Sequence, residues 1–355
     1  MATVVALEPL RSAVLGLAAA VLLLALFLVL QRSAASVADS RSRRRTPALT
    51  RLVYEAVQHA PVDATALARL GRSDRKLVRS IILALALDLR GDTGEALGEV
   101  YRALGCMKRD LHGLGSWRAS RRAAAAADLG LIRAREATTR LLQAVYDRDQ
   151  RVRQAAVWAV GQAGTAETLT HLVRVLGDKN LLVAHRAQEI LAERGREVTQ
   201  AILSYAETTA SRAGRLAAIE LIGWLRITTA ADLLLALSTD LDPEIRVKSV
   251  KAAAAIGDPR FLDIFHARLE DPSWPVRCQA AKGLSLFGSP TSIAPLAKAL
   301  RDRQWWVRFY AATALAEAGP AGEEALARAL EDPEPLVRDM ARYLLERGET
   351  VPVLP

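Results

Sequence analysis

An arginine returns about every 31 residues along most of this chain, at Arg153, Arg186, Arg215, Arg246, Arg277, Arg308 and Arg338. The last five intervals are 29, 31, 31, 31 and 30 residues. Each arginine opens a similar phrase, RQAAVWAVGQAG from Arg153, RVKSVKAAAAIGDP from Arg246, RCQAAKGLSLFGSP from Arg277 and RFYAATALAEAGP from Arg308. A period of this size denotes a stack of like supersecondary units. Each unit buries its apolar face only against its neighbours, so a single-core barrel or sandwich is excluded.

With the arginine as position zero, an apolar residue precedes it at Val78, Val152, Ile245, Val276, Val307 and Val337. Small residues follow at +3 and +4, and glycine stands at +11 in Gly164, Gly257, Gly288 and Gly319. Apolar positions at −1, +3, +7 and +10 make one helical stripe. The glycine then ends the helix, where a left-handed residue suits the chain. A second apolar stretch follows, as in TLTHLVRVLGD (168–178), ADLLLALSTD (231–240) and SIAPLAKALRD (292–302). The unit is therefore helix, turn, helix. An Asp lies six residues before several of the arginines (Asp147, Asp240, Asp271, Asp302, Asp332), in the turn, where it is placed to cap the next helix.

The resulting pattern, D-x-x-x-x-V-R-x-x-A-A-x-A-L-G-x-x-G, resembles the HEAT repeat, in particular the bacterial HEAT-like type of the phycobilin lyases. The resemblance covers residues 117–347 in eight units. It implies an all-α, right-handed solenoid of helical hairpins whose Asp and Arg side chains form a ladder between successive turns. On that ground Asp271 and Arg277, Asp302 and Arg308, and Asp332 and Arg338 are structural pairs. The Arg186 unit, with Asn180 at −6, and the Arg215 unit, which lacks the Asp, depart from the pattern, and a kink is expected near 180–215. Upstream, DRKLVRS (74–80) looks like a degenerate unit. An insertion expected to hold two short helices, 94–104 and 106–113, breaks the spacing before Arg122.

Ser12 to Leu30 carries no charge over 19 residues. At helical rise that spans roughly 28 Å, about a bilayer core, so an uncleaved transmembrane helix is expected. A cleaved leader, with Ser33-Ala34-Ala35-Ser36 as the cleavage region and a secreted or periplasmic solenoid as the result, is the competing reading. Glu8 and Arg11 precede the span, whereas Arg32, Arg41, Arg43, Arg44, Arg45 and Arg51 follow it. That asymmetry puts the C-terminal side in the cytoplasm, anchored once in the inner membrane. The RSRRR cluster is either the topology signal alone or also a clamp for anionic lipid. The expected organisation is a short extracytoplasmic N-terminus (1–11), transmembrane helix (12–30), basic linker (31–48), helical cap with a degenerate repeat (49–116), HEAT-like repeats (117–347) and a tail (348–355).

The formal net charge of +9 is uneven. Residues 1–60 carry +4, residues 61–122 carry +5, and 123–355 hold 29 charges of each sign. A nucleic-acid-binding solenoid carries its basic stripe along the array, so no nucleic acid is expected. Two cysteines exclude a disulfide framework. None of the five histidines precedes a Glu, the pairing that supplies iron ligands in the HEAT enzyme deoxyhypusine hydroxylase. No metal, cofactor or catalytic residue is expected.

The resemblance implies that the arginine-bearing helix lines a concave face, with +1, +5 and +9 pointing into it. Trp158, Gln162, Glu220, Trp224, Lys251, Lys282 and Phe309 stand there, with Tyr310 beside them, and Tyr343 takes the same place in the last unit. Aromatic residues among a few polar ones suit a peptide or helix groove; Trp158 and Trp224 could equally fill gaps between Ala-rich helices. Trp274 and Trp305, both at −3, either pack on the neighbouring turn or form an exposed edge. The chain thus reads as a membrane-anchored scaffold that binds a protein. The anchor, the Arg-rich linker and the phrase ALGCMKRDLHGL (103–114) resemble bacterial HEAT proteins whose relatives accompany polysaccharide-assembling glycosyltransferases, which implies a membrane glycosyltransferase or other envelope complex as partner. The alternative is a HEAT-type lyase or accessory subunit of a modifying enzyme.

Overall fold

The computed structural model describes residues 44–58, 67, 69–89 and 91–346, and every described element is a helix. The predicted transmembrane segment, Arg41 and Arg43 lie outside the described residues, as does the tail. Among the described residues no helix is long and apolar enough to cross a membrane. The chain divides between His112 and Gly113 into two compact units.

The first unit holds α1 (44–58), α2 (Arg72–Asp88), α3 (Asp92–Ala103) and α4 (Cys106–Gly113). The linker expected over 31–48 gives way to helix from Arg44 onward, and Arg45 is paired with Asp74 of α2 at 3.0 Å. Arg, Ala and Leu are good helix formers, and the Arg45–Asp74 pair ties the first turn to α2. The insertion forms α3 and α4. Its packing centres on a buried polar knot. Tyr101 donates its hydroxyl hydrogen bond to Asp110, which also accepts from Arg109 at 2.8 Å, while Arg79 Nε donates to the Tyr101 oxygen at 3.2 Å. Burial, then the hydrogen bond to Asp110, pushes the Tyr101 phenol above its ordinary range. Each polar atom buried there has a partner, as a low-dielectric site requires.

The second unit is the repeat array. Its ladder helices are α5 (Ala119–Leu131), α7 (Gln150–Ala163), α9 (Leu181–Arg194), α11 (Arg212–Trp224), α13 (Pro243–Ile256), α15 (Trp274–Ser285), α17 (Trp305–Glu317) and α19 (Pro335–Glu346). Between them run α6 (Thr138–Ala144), α8 (Ala166–Val175), α10 (Thr199–Thr208), α12 (Ala231–Leu237), α14 (Leu262–Arg268), α16 (Ile293–Ala299) and α18 (Pro320–Ala329). Several of these begin with a 3₁₀ turn, as at Pro259–Phe261. Consecutive ladder helices pack against one another along the array. Small residues set that spacing. At Gly130 of α5 an added Cβ would lie 2.8 Å from the Ala159 Cα of α7, so a larger residue would push the helices apart.

The left-handed turn after the ladder helix is present at Gly257, Gly288 and Gly319. Gly164 departs from the expectation. Its φ of −73° is an ordinary extended one. Arginine instead takes the left-handed place at Arg133 and Arg226, with φ of 49° and 50°.

Candidate functional site

The recurring arginine acts as a stitch between three segments. Arg246 Nε and Nη2 donate to the two carboxylate oxygens of Asp271 at 2.9 and 2.8 Å, and its Nη1 donates to the carbonyls of Asp240 and Leu241. Arg122 with Asp147, Arg153 with Asp178 and Arg277 with Asp302 repeat this arrangement. The carboxylate therefore comes from the following repeat, 25 residues on. This corrects the expected pairing six residues back. Arg277 meets only the main-chain carbonyl of Asp271, Arg308 that of Asp302 and Arg338 that of Asp332. The Asp carboxylate faces the preceding repeat because its second task, accepting the amide two residues on, turns it away from its own helix. The N-cap itself falls two residues further on, at Asp149, Asn180, Ser211 and Asp242.

Burial pushes the Asp271 carboxyl up, and Arg246 and the Ser273 amide bring it back below the usual range. Asp302 is held low by the same balance, with Arg277 as its partner. At Asp147 the Arg122 hydrogen bonds are the largest influence, again downward.

The ladder is interrupted once in the middle. Six residues after Asp178 stands Ala184, and 25 residues after Ala184 stands Thr209, so both partners of one rung are replaced together. The paired loss avoids an uncompensated buried charge. Thr209 Oγ1 still accepts the amide of Ser211, as the Asp does elsewhere. Arg186, read from the sequence as a ladder member, is two residues out of register. It is half-buried and paired with Glu189 on its own helix at 2.9 Å. The buried Val183 confirms the shift, since it fills the −1 place. In the next unit that place is Gly214, where an added Cβ would lie 2.3 Å from the Tyr205 hydroxyl, so Tyr205 occupies the space the apolar residue vacates. Arg215 reaches Asp240 only at 3.9 Å. At the far end the spacing shortens to 30, Asp332 is taken by Arg301, and the buried Arg308 Nε has no partner among the described residues.

The face carried by the ladder helices holds the residues singled out from the sequence. Gln162, Trp224 and Lys251 are exposed, and Glu220, Lys282, Phe309 and Tyr310 are half-buried. Gln188 of α9 donates to Glu220 of α11 at 3.3 Å, and Lys248 of α13 donates to the same carboxylate at 2.8 Å. Burial raises the Glu220 carboxyl, and Lys248 with Gln188 lower it to a net value below its ordinary range. Trp158 lies against Gly130 and fills the gap there, whereas Trp224 is 54% exposed. Farther along, Trp305 stacks on Phe309 at 5.1 Å, Trp306 on Tyr310 at 6.2 Å, and Tyr343 of α19 meets Trp305 edge-on. Lys282 sits 5.6 Å over the Tyr310 ring. Trp274 is exposed to the same degree as Trp305, one repeat before it.

Both cysteines are buried, and burial raises the Cys278 thiol to about 11. Among the described residues no group of three His, Cys, Asp or Glu could hold a metal ion.

A sequence profile for HEAT repeats matches residues 111–192, 199–270 and 262–346. No curated protein matches the chain. Among solved structures, importin beta aligns over 86% of this chain and 46% of its own, at 14% identity and a TM-score of 0.52. This chain spans about half the length of that protein. The Escherichia coli protein YibA aligns over 68% of this chain and 94% of its own, at 20% identity and a TM-score of 0.42. The CpcE and CpcF complex of phycocyanin lyase from Nostoc sp. aligns over 66% and 94%, at 16% identity and a TM-score of 0.32. At these identities the likeness is one of fold.

Proposed function

The chain belongs to the HEAT-repeat family, and on that premise we propose that it is a scaffold that binds another protein on the face of its ladder helices. The observation that supports this is the bridge from Gln188 through Glu220 to Lys248. It joins three successive ladder helices into one surface, flanked by the exposed Trp224 and Lys251. A surface of half-desolvated polar groups around an aromatic anchor is what a protein interface requires. In this reading Ser12–Leu30 anchors the chain once in the inner membrane, the repeats face the cytoplasm, and the anchor raises the local concentration of the scaffold around its partner. The partner is a component of a membrane complex, such as a glycosyltransferase of the envelope.

The test is crosslinking and recovery of the full-length chain from membranes, set beside a Trp224→Ala/Lys251→Glu variant. Loss of a specific partner from the variant supports the reading. A variant that folds normally and recovers every partner of the parent overturns it.

A further inference from the structure

In the corrected register, most of the exposed large apolar side chains of the repeats fall in one place. They occupy positions −5 to −2, the end of the turn and the first residues of each ladder helix. Trp117 and Leu241 stand at −5, Leu181 and Trp305 at −3, Leu182 and Trp306 at −2. Rungs hold the turns at two of these tips: Arg122 Nη1 donates to the carbonyl of Trp117 and Arg246 Nη1 to that of Leu241, so the backbone there is clamped while the side chain stays exposed. Leu241 is 98% exposed, Leu181 82% and Trp117 77%. Between them stand Arg148, Lys179 and Arg303, at the same −5 position in other repeats. All three are exposed, and none is paired with a carboxylate among the described residues.

We propose that this turn edge lies against an anionic lipid surface. Protein hot spots sit in packed pockets, whereas Trp117, Leu181 and Leu241 project almost wholly into solvent, and Trp305 and Trp306 stand at the outer end of an aromatic cluster. A fluid headgroup layer admits such projections, taking up tryptophan and leucine at the depth of the acyl boundary. Unpaired cations interleaved with them complement anionic headgroups, at roughly 1 kcal/mol for each one near the surface. The proposal does not rest on the protein-binding face, whose residues Trp224 and Lys251 lie elsewhere on the ladder helices.

All six tryptophans lie at or after position 117, and none lies in the predicted membrane span. Their emission therefore reports the repeats alone, even in a chain held in the bilayer by its N-terminus. The experiment places the full-length chain in vesicles of phosphatidylcholine, with or without phosphatidylglycerol, each with ordinary or brominated acyl chains. Loss of tryptophan emission to brominated lipid is expected in the phosphatidylglycerol vesicles, with recovery at high salt. An Arg148→Glu/Lys179→Glu/Arg303→Glu variant should keep its emission there. A Leu181→Ser/Leu241→Ser variant, which leaves every tryptophan in place, should show a reduced loss, and circular dichroism checks that both variants fold. Undiminished emission in phosphatidylglycerol vesicles overturns the proposal. So does equal loss in phosphatidylcholine alone, or a loss that the charge-reversed, folded variant retains.

Discussion

Arg246 and Asp271 form a two-pronged ion pair between consecutive repeats, with side chains 11% and 1% exposed. Such a pair stabilises only while both members are present, because removing one leaves a buried charge without a partner. Arg246→Met should cost about 3–5 kcal/mol in urea unfolding, whereas Arg246→Met/Asp271→Leu should recover a large part of that loss. A double variant no more stable than the single one would show that the main-chain bonds of the arginine, not the carboxylate, dominate the rung.

Acid should loosen the same ladder. Asp147, Asp271 and Asp302 are held below the usual carboxylate range in the folded chain. A carboxyl depressed on folding contributes stability that is complete above its unfolded value of about 4 and is lost as pH falls through the folded value. Thermal midpoints measured from pH 6 to pH 2 should hold steady at first and drop below about pH 4. A profile flat to pH 2 would contradict the assigned pairing.

Arg226 carries a left-handed backbone, φ 50°, at a position where three other repeats place a left-handed glycine. The strain of a side chain there exceeds the extra chain entropy of glycine. Arg226→Gly should therefore raise stability by about 0.5–1 kcal/mol. A fall in the thermal midpoint would mean that the arginine side chain makes up the difference.

Gly214 makes the opposite case. Tyr205 and the Gly177 Cα lie within 3.2 Å of where a Cβ would stand. Gly214→Ala should destabilise by about 1–3 kcal/mol, and Gly214→Ala/Tyr205→Phe should regain part of it. Equilibrium unfolding of the three chains decides this.

Neither cysteine should react in the native state. Cys106 and Cys278 are buried, and burial raises both thiols above their ordinary range. Incubation with a thiol reagent at pH 8 should label neither until denaturant is added. Rapid native labelling of Cys278 would reveal opening between α15 and its neighbours.

The helices were legible because apolar and small residues recur at fixed offsets from each arginine. The direction of the ladder was not. With a repeat of 31, an Asp six residues before one arginine is also 25 residues after the previous one, and the period cannot say which is used. Three-dimensional placement decides it, since the carboxylate is turned backward by the amide it accepts. The false rung at Arg186 came from following the arginine alone, whereas Val183 carried the true register. The exposed turns became visible as one edge only after that shift placed Leu181 and Leu182 beside the tryptophans. Tyr101 and Asp110 gave no signal at all, because a knot that occurs once has no period.

The forward reach of each rung also gives the chain a direction in time. A repeat leaving the ribosome brings an arginine whose carboxylate is still 25 residues away in the channel. At synthesis rates of about 5–20 residues per second, that guanidinium waits on the order of seconds. At each complete rung the newest edge of the nascent array therefore carries an unmatched guanidinium, and the arriving Asp closes the repeat before it. Assembly proceeds like a zip, one tooth behind translation.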